Sequence, residues 1–257
     1  MIRYRSIACF FSALTVLLTL SEKAQAQFNT LFDTGMSSKL LTLGVRASLT
    51  SSNVSPNYSD MFTDVYNASG NWGYGFNVGF VVDLNIKKYF SLQPGIFFSN
   101  KSYGTDITTL SDETSYFSYV KKHSRLYYLQ IPVLASFKMN LIKGIQLQLE
   151  AGPYFALGLG GNTRVNQTTV SVAPVGSFVS WDIYKYPYFG NSDMKNVQMK
   201  TKDWGLKIGA GFKIVHKYSI AIYYMAGIEN IARNDSGFEN VAKARNKEWT
   251  LSLGYDF

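Results

Sequence analysis

Apolar and polar positions alternate with a period of two in eight separate segments of the chain. In 72–84 one face carries Trp72, Tyr74, Phe76, Val78, Phe80, Val82 and Leu84, while Gly73, Gly75, Asn77, Gly79, Val81 and Asp83 face the other way. In 145–159 the apolar face runs Ile145, Leu147, Leu149, Ala151, Pro153, Phe155, Leu157 and Leu159, against Gln146, Gln148, Glu150, Gly152, Tyr154, Ala156 and Gly158. The same division recurs in 41–49, 90–99, 127–137, 203–212, 218–228 and 249–257. Successive residues of a strand point to opposite faces of a sheet, so this periodicity predicts eight half-buried β-strands.

A water-soluble sandwich would also alternate, but two features oppose it. The apolar faces run for about 11 residues, the reach of a tilted strand crossing a membrane. The opposite face is not a charged surface but one dominated by glycine, at 44, 73, 75, 79, 95, 152, 158, 160, 205, 209, 211, 227 and 254. Small residues there leave room inside a narrow barrel for Tyr128, Tyr154 and Tyr223. Because lipid excludes open sheet edges, the sheet must close on itself. Connections alternate between short turns (85–88, 140–144 and 215–217) and long polar loops (51–71, 101–125, 161–202 and 230–247). The expected fold is all-β: an eight-stranded antiparallel up-and-down transmembrane β-barrel over 39–257, preceded by a cleaved signal peptide. In the outer-membrane pattern the long loops are extracellular and both termini periplasmic. Trp72, Trp204 and Trp249 then belong to the outer aromatic girdle, and Tyr89, Phe90, Phe137, Phe212, Tyr218 and Phe257 to the inner one.

Composition sharpens this picture. Aromatic residues make up 16% of the chain and 21 glycines accompany 6 prolines. Beyond the N-terminal stretch there is no run of 18 apolar residues, so no helix is expected to span a bilayer. The first 26 residues read as a secretory signal: Arg3 and Arg5, an apolar stretch over 7–20, and the small-x-small site Ala24-Gln25-Ala26. A short periplasmic segment, 27–38, would follow. Cleavage removes Cys9, the single cysteine, and with it any thiol chemistry. The net charge of +8 stays positive after cleavage, but the basic residues are dispersed and an exported chain is poorly placed to meet nucleic acid. Outer-membrane lipids with anionic headgroups are the expected counterpart.

Several short segments resemble the PorT-like family of outer-membrane β-barrel proteins: Leu92-Gln93-Pro94-Gly95-Ile96, Tyr128-Leu129-Gln130-Ile131-Pro132, Ala151-Gly152-Pro153-Tyr154 and Gly209-Ala210-Gly211-Phe212. The resemblance extends over about 39–257. It implies barrel membership and, because some relatives are accessory parts of a protein-secretion machine, envelope or secretion-system proteins as partners. The closing Trp249, Leu251, Leu253, Tyr255 and Phe257 also look like the insertion signal read by the barrel-insertion machinery during biogenesis.

Candidate chemistry is sparse. His216 lies in a short turn and His123 at the opposite rim, so the two histidines cannot share a metal. His123 and Ser124 could suggest a base and nucleophile, yet neighbouring strand residues face opposite ways. No catalytic residue, metal site or cofactor is expected. Arg46, Glu150 and Lys207 project inward and should pair as a buried charge network, Glu150 with Lys207, Arg46 or both. Phe178, Trp181, Tyr184, Tyr186, Tyr188 and Phe189 crowd the third long loop, a candidate partner-contact surface unless these aromatics pack instead upon the barrel mouth and the headgroups. The expected role is a non-enzymatic structural or protein-interaction component of the cell envelope, with secretion accessory as its specific form. A lipid-modifying enzyme and a narrow passive pore are the alternatives.

Overall fold

The computed structural model describes residues 32–57, 65–111, 116–173, 176–190, 199–232 and 243–257, so the expected signal peptide lies outside the described residues. Nine strands are present among them: β1 (Leu41–Asn57), β2 (Val65–Lys87), β3 (Phe90–Ser111), β4 (Tyr116–Ile142), β5 (Ile145–Ala173), β6 (Gly176–Pro187), β7 (Lys202–Ile214), β8 (Tyr218–Gly227) and β9 (Lys243–Asp256). Every pairing between these nine strands is antiparallel. Eight strands close a ring, because β4 pairs with β5, β5 with β7, and β9 with β1. β6 stands outside that ring and pairs only with the upper half of β5.

The ring wears its apolar residues on the outside. Leu49, Tyr74, Phe80, Leu206 and Leu253 are exposed, whereas Tyr128, Tyr154, Ser136 and Asn77 are buried. This inverts a soluble protein's distribution, and a bilayer is the medium that makes it stable. Aromatic contacts mark both margins of the apolar band. Phe90 and Phe137 lie 5.0 Å apart, and Tyr218 and Tyr255 5.4 Å, near the short turns. Tyr224 and Trp249 (4.8 Å) and Phe98 and Tyr127 (5.9 Å) lie near the other margin.

The strands are longer than the hydrophobic pattern implies. Much of the expected long loops at 51–71, 101–125 and 161–202 is strand, extending the wall beyond the apolar band into a crown. Within the crown Ser124 pairs in register with Thr163, and Thr163 with Tyr186. Lipid no longer covers the outer face there, while the inner face stays buried, as at Thr163 and Val165, so the strands keep β-branched Thr and Val but lose the apolar contrast that lipid imposes. At the opposite, turn end, Lys217 N–H donates to Ile214 O across Val215 and His216, both at positive φ (51° and 57°). That is the backbone a tight hairpin demands, built here without glycine.

Candidate functional site

The lumen is the part of the molecule richest in functional side chains. Arg46, Glu150 and Lys207 all point inward and are buried, but the expected direct pairing of Glu150 with Arg46 or Lys207 is not formed. Arg46 instead holds Asp256 at 2.6 Å, a partner on the neighbouring strand β9. Glu150 accepts from Ser136 Oγ at 3.2 Å and from Tyr223 Oη at 2.5 Å. Tyr223 can reach it because Gly209 lies between them in register, and a Cβ at Gly209 would run into the Tyr223 ring. Lys207 places its ammonium over that same ring, 4.5 Å from its centre, and 5.4 Å from that of Phe97. An aromatic face is attractive to a cation and here takes the place of a carboxylate.

Two further clusters went unnoticed in the sequence. Near the turn end Asp83 receives Lys213 at 3.3 Å and Lys138 at 3.7 Å, while Asp256 receives Lys213 as well as Arg46. Gln93 donates to Asp83 at 2.8 Å and completes a ladder across the lumen. Towards the crown Lys101 meets Glu248 at 2.9 Å, with both side chains almost fully buried. Thr250 and Asn77 donate to the other oxygen of Glu248. Asp203 accepts from Tyr154 (3.1 Å) and Asn246 (2.8 Å). The signal that could have found these groups is position. Lys138 and Lys213 sit one residue beyond the apolar alternation of their strands, and Glu248 one residue before it.

Between these clusters the lumen is filled. The cavity bounded by Arg46, Phe97, Lys207 and Tyr223 measures about 10 Å³, room for no more than a single water. A wider vestibule of about 940 Å³ opens at the turn end, lined by Lys88, Lys138, Lys213, Lys217 and Asp256 among others.

The six aromatic residues expected to form one contact surface are divided in two. Tyr188 is buried, donates no open face to solvent, and its hydroxyl accepts from Tyr103 Oη at 2.8 Å. Phe189 packs edge-on against Tyr128 at 5.5 Å, in a space that a Cβ at Gly158 would invade. These two seal the mouth of the barrel. Phe178, Trp181, Tyr184 and Tyr186 instead ride on β6, where Phe178 and Trp181 are about 70% exposed (69% and 73%). Trp249, Leu251, Leu253 and Tyr255 lie along β9 with Phe257 just beyond it, the first three and Phe257 exposed on the outer face.

His123 and Ser124 are held apart by the strand. His123 is exposed, whereas buried Ser124 exchanges a 2.9 Å hydrogen bond with Thr163. Among the described residues no group of three or more His, Cys, Asp or Glu side chains could hold a metal ion.

Residues 24–233 match the family model described as outer membrane protein beta-barrel domain. No curated protein matches the chain in sequence. Among solved structures, OprG from Pseudomonas aeruginosa is 12% identical, with 87% of this chain and 98% of that one covered and a TM-score of 0.43. Ail of Yersinia pestis, the attachment invasion locus protein in complex with the heparin analogue sucrose octasulfate, is 11% identical (85% and 100% covered, TM-score 0.34). Neisserial surface protein A is 12% identical (84% and 97% covered, TM-score 0.33).

Proposed function

The chain belongs to the outer membrane protein beta-barrel domain family, and from that premise we propose that it is a non-enzymatic envelope scaffold whose crown engages other envelope proteins. The observation that carries this reading is the contrast between lumen and hairpin. The middle of the lumen is filled by packing and charge pairing, which supports no continuous pore. The β5–β6 hairpin, by contrast, rises outside the ring and exposes Phe178, Trp181 and Ile183. Large apolar side chains held in the open on a rigid ribbon are what protein interfaces use as anchors. The secretion accessory of the PorT-like kind is the specific form of this role. In it the crown faces the exterior, the short turns face the periplasm, and the terminal strand β9 carries the insertion signal.

A photo-crosslinking residue at Trp181 or Ile183 in intact envelopes tests the reading. Discrete protein adducts are expected, while adducts to lipid alone would overturn it. Orientation is checked separately with single cysteines at Ser180 and Lys143. Only Ser180→Cys should react with an impermeant reagent outside cells.

A further inference from the structure

At the crown margin of the apolar band the outward-facing columns turn basic. Trp204 is preceded two residues earlier by Lys202, Trp249 by Lys247 and Arg245, and Tyr127 by Arg125, His123 and Lys121, all of them exposed. β4 and β9 stand opposite one another in the eight-strand ring, so the basic positions belong to a belt rather than to one patch.

The belt thickens on the β4–β5–β6 wall. His123 lies in register with Arg164, and Arg164 with Lys185, three basic side chains abreast on one outer face. Arg125 flanks them one step nearer the band, beside Asn162. Like charges directly opposite each other destabilise a sheet, and among the described residues Arg125, Arg164 and Lys185 form no ion pair. Asp106, an outward carboxylate further along the wall, faces Lys121 and accepts from Asn71 at 2.9 Å. Asp182 sits three residues from Lys185 and therefore on the other face of β6. Among the described residues the face is accordingly rich in donors and poor in acceptors, with its cations uncompensated.

We propose that Arg125, His123, Arg164 and Lys185 form a docking site for the phosphorylated headgroup of a glycolipid in the leaflet at the crown end. Height selects lipid over a soluble anion. At about 2.4 Å of axial rise per tilted strand residue, Arg125 stands roughly 5 Å and His123 roughly 10 Å beyond Tyr127, the last aromatic of the band. That is the layer where phosphates lie over the acyl chains, and the belt at Lys202, Lys247 and Arg245 meets the same layer on other sectors. Arginine supplies a planar fork that matches two phosphate oxygens, and two arginines are present. His123 agrees with an uncompensated positive field: partial burial, then Arg125 and Lys121, push its imidazole below the usual value. Ser102 Oγ at 3.4 Å, Gly104 across β3, and Arg164 across β5 are its other neighbours, and none is acidic.

The inference rests on the outer-membrane reading, but its test does not depend on which way the barrel is inserted. The purified full chain is titrated in neutral-detergent micelles with a bisphosphorylated glycolipid, with the same lipid after enzymatic dephosphorylation, and with inorganic phosphate. Binding is read by native mass spectrometry. The expected result is preference for the phosphorylated lipid, weakened roughly a hundredfold by the combined R125Q, R164Q and K185Q substitutions. It should be unchanged by K143Q and K217Q at the turn end. All five sites are exposed, and retained heat-modifiable gel mobility confirms that the barrel is intact. The His123 imidazole should titrate at higher pH when the phosphorylated lipid is bound. Equal binding of the dephosphorylated lipid, indifference to the triple substitution, or inorganic phosphate competing as well as the lipid would each overturn the proposal. Labelling of Lys143→Cys from outside would overturn the orientation and leave this binding intact.

Discussion

The lumen and the outer wall of the crown spend their charges in opposite ways. Inside the barrel, carboxylates are shared between cations: Asp83 between Lys138 and Lys213, Asp256 between Arg46 and Lys213. On the outer wall Arg164 and Lys185 stand side by side, with Arg125 one step away and no carboxylate among them. A charge removed from water must be neutralised on the spot, whereas an exposed one is cheap enough to be left for an external partner. Charge in the lumen therefore reports on stability, and charge on the wall reports on recognition.

The comparison is broken most severely by removing a shared carboxylate. Asp83→Asn leaves Lys138 without a carboxylate and Lys213 with Asp256 alone, and should cost about 3–5 kcal/mol, less where water enters from the vestibule. Urea unfolding in lipid vesicles, followed by tryptophan fluorescence, measures it. A value under about 0.5 kcal/mol, typical of a surface substitution, would mean that the lumen is as wet as the wall. The Lys101–Glu248 pair gives the next effect. Glu248→Leu alone should destabilise the barrel by about 3 kcal/mol, and adding Lys101→Leu should recover at least half of the loss, because the pair is buried and replaceable. A double substitution no better than the single one would assign Lys101 a role beyond pairing.

The wall should respond weakly and with the opposite sign. Lys185→Glu places a carboxylate across from Arg164 and should stabilise the hairpin by about 0.2–1 kcal/mol while weakening phosphorylated-lipid binding. Loss of stability instead would show that the basic row is already compensated. The smallest effect belongs to an exposed pair at the turn end, Asp33 with Lys88 at 2.9 Å. The hydrogen bond from Lys88, then that from Gly35 N–H, hold the Asp33 carboxyl below its ordinary value. Its contribution is present above the unfolded-state value and is lost as pH falls through the lower folded one. Amide exchange at Lys88, whose N–H donates to Gly35 O, should quicken over that acidic window with no change in global unfolding.

The lipid-facing band was legible because lipid demands it. Leu49, Phe80, Ile208 and Leu251 had to be apolar, and their neighbours had to be small or polar, so eight strands and their phases follow from period two alone. The crown was not legible for the same reason in reverse. With water in place of lipid on the outer face, Asn162, Thr163, Arg164 and Val165 alternate only in burial, not in hydrophobicity. Lumen pairing was hidden by distance along the chain. Arg46 and Asp256 are brought together only by the β1–β9 register, which places Gly254 opposite Arg46. Lys138, Lys213 and Glu248, lying just past the apolar runs, were readable as inward only once the strands were extended through them.

The β1–β9 seam has a consequence for assembly. Its ladder runs from Gly44 opposite Asp256 to Asn57 opposite Lys243, joining segments some two hundred residues apart. Until β9 arrives, β1 and β8 each present a raw hydrogen-bonding edge, and such an edge in a crowded envelope invites the wrong partner. Translation delivers β1 early and β9 late, so both edges stay open until the last strand arrives. A chain cut short by a premature stop or a protease cannot fasten that seam however well its other hairpins form. The clasp between the two segments thus acts as a proofreading step, passing only chains that arrive with both.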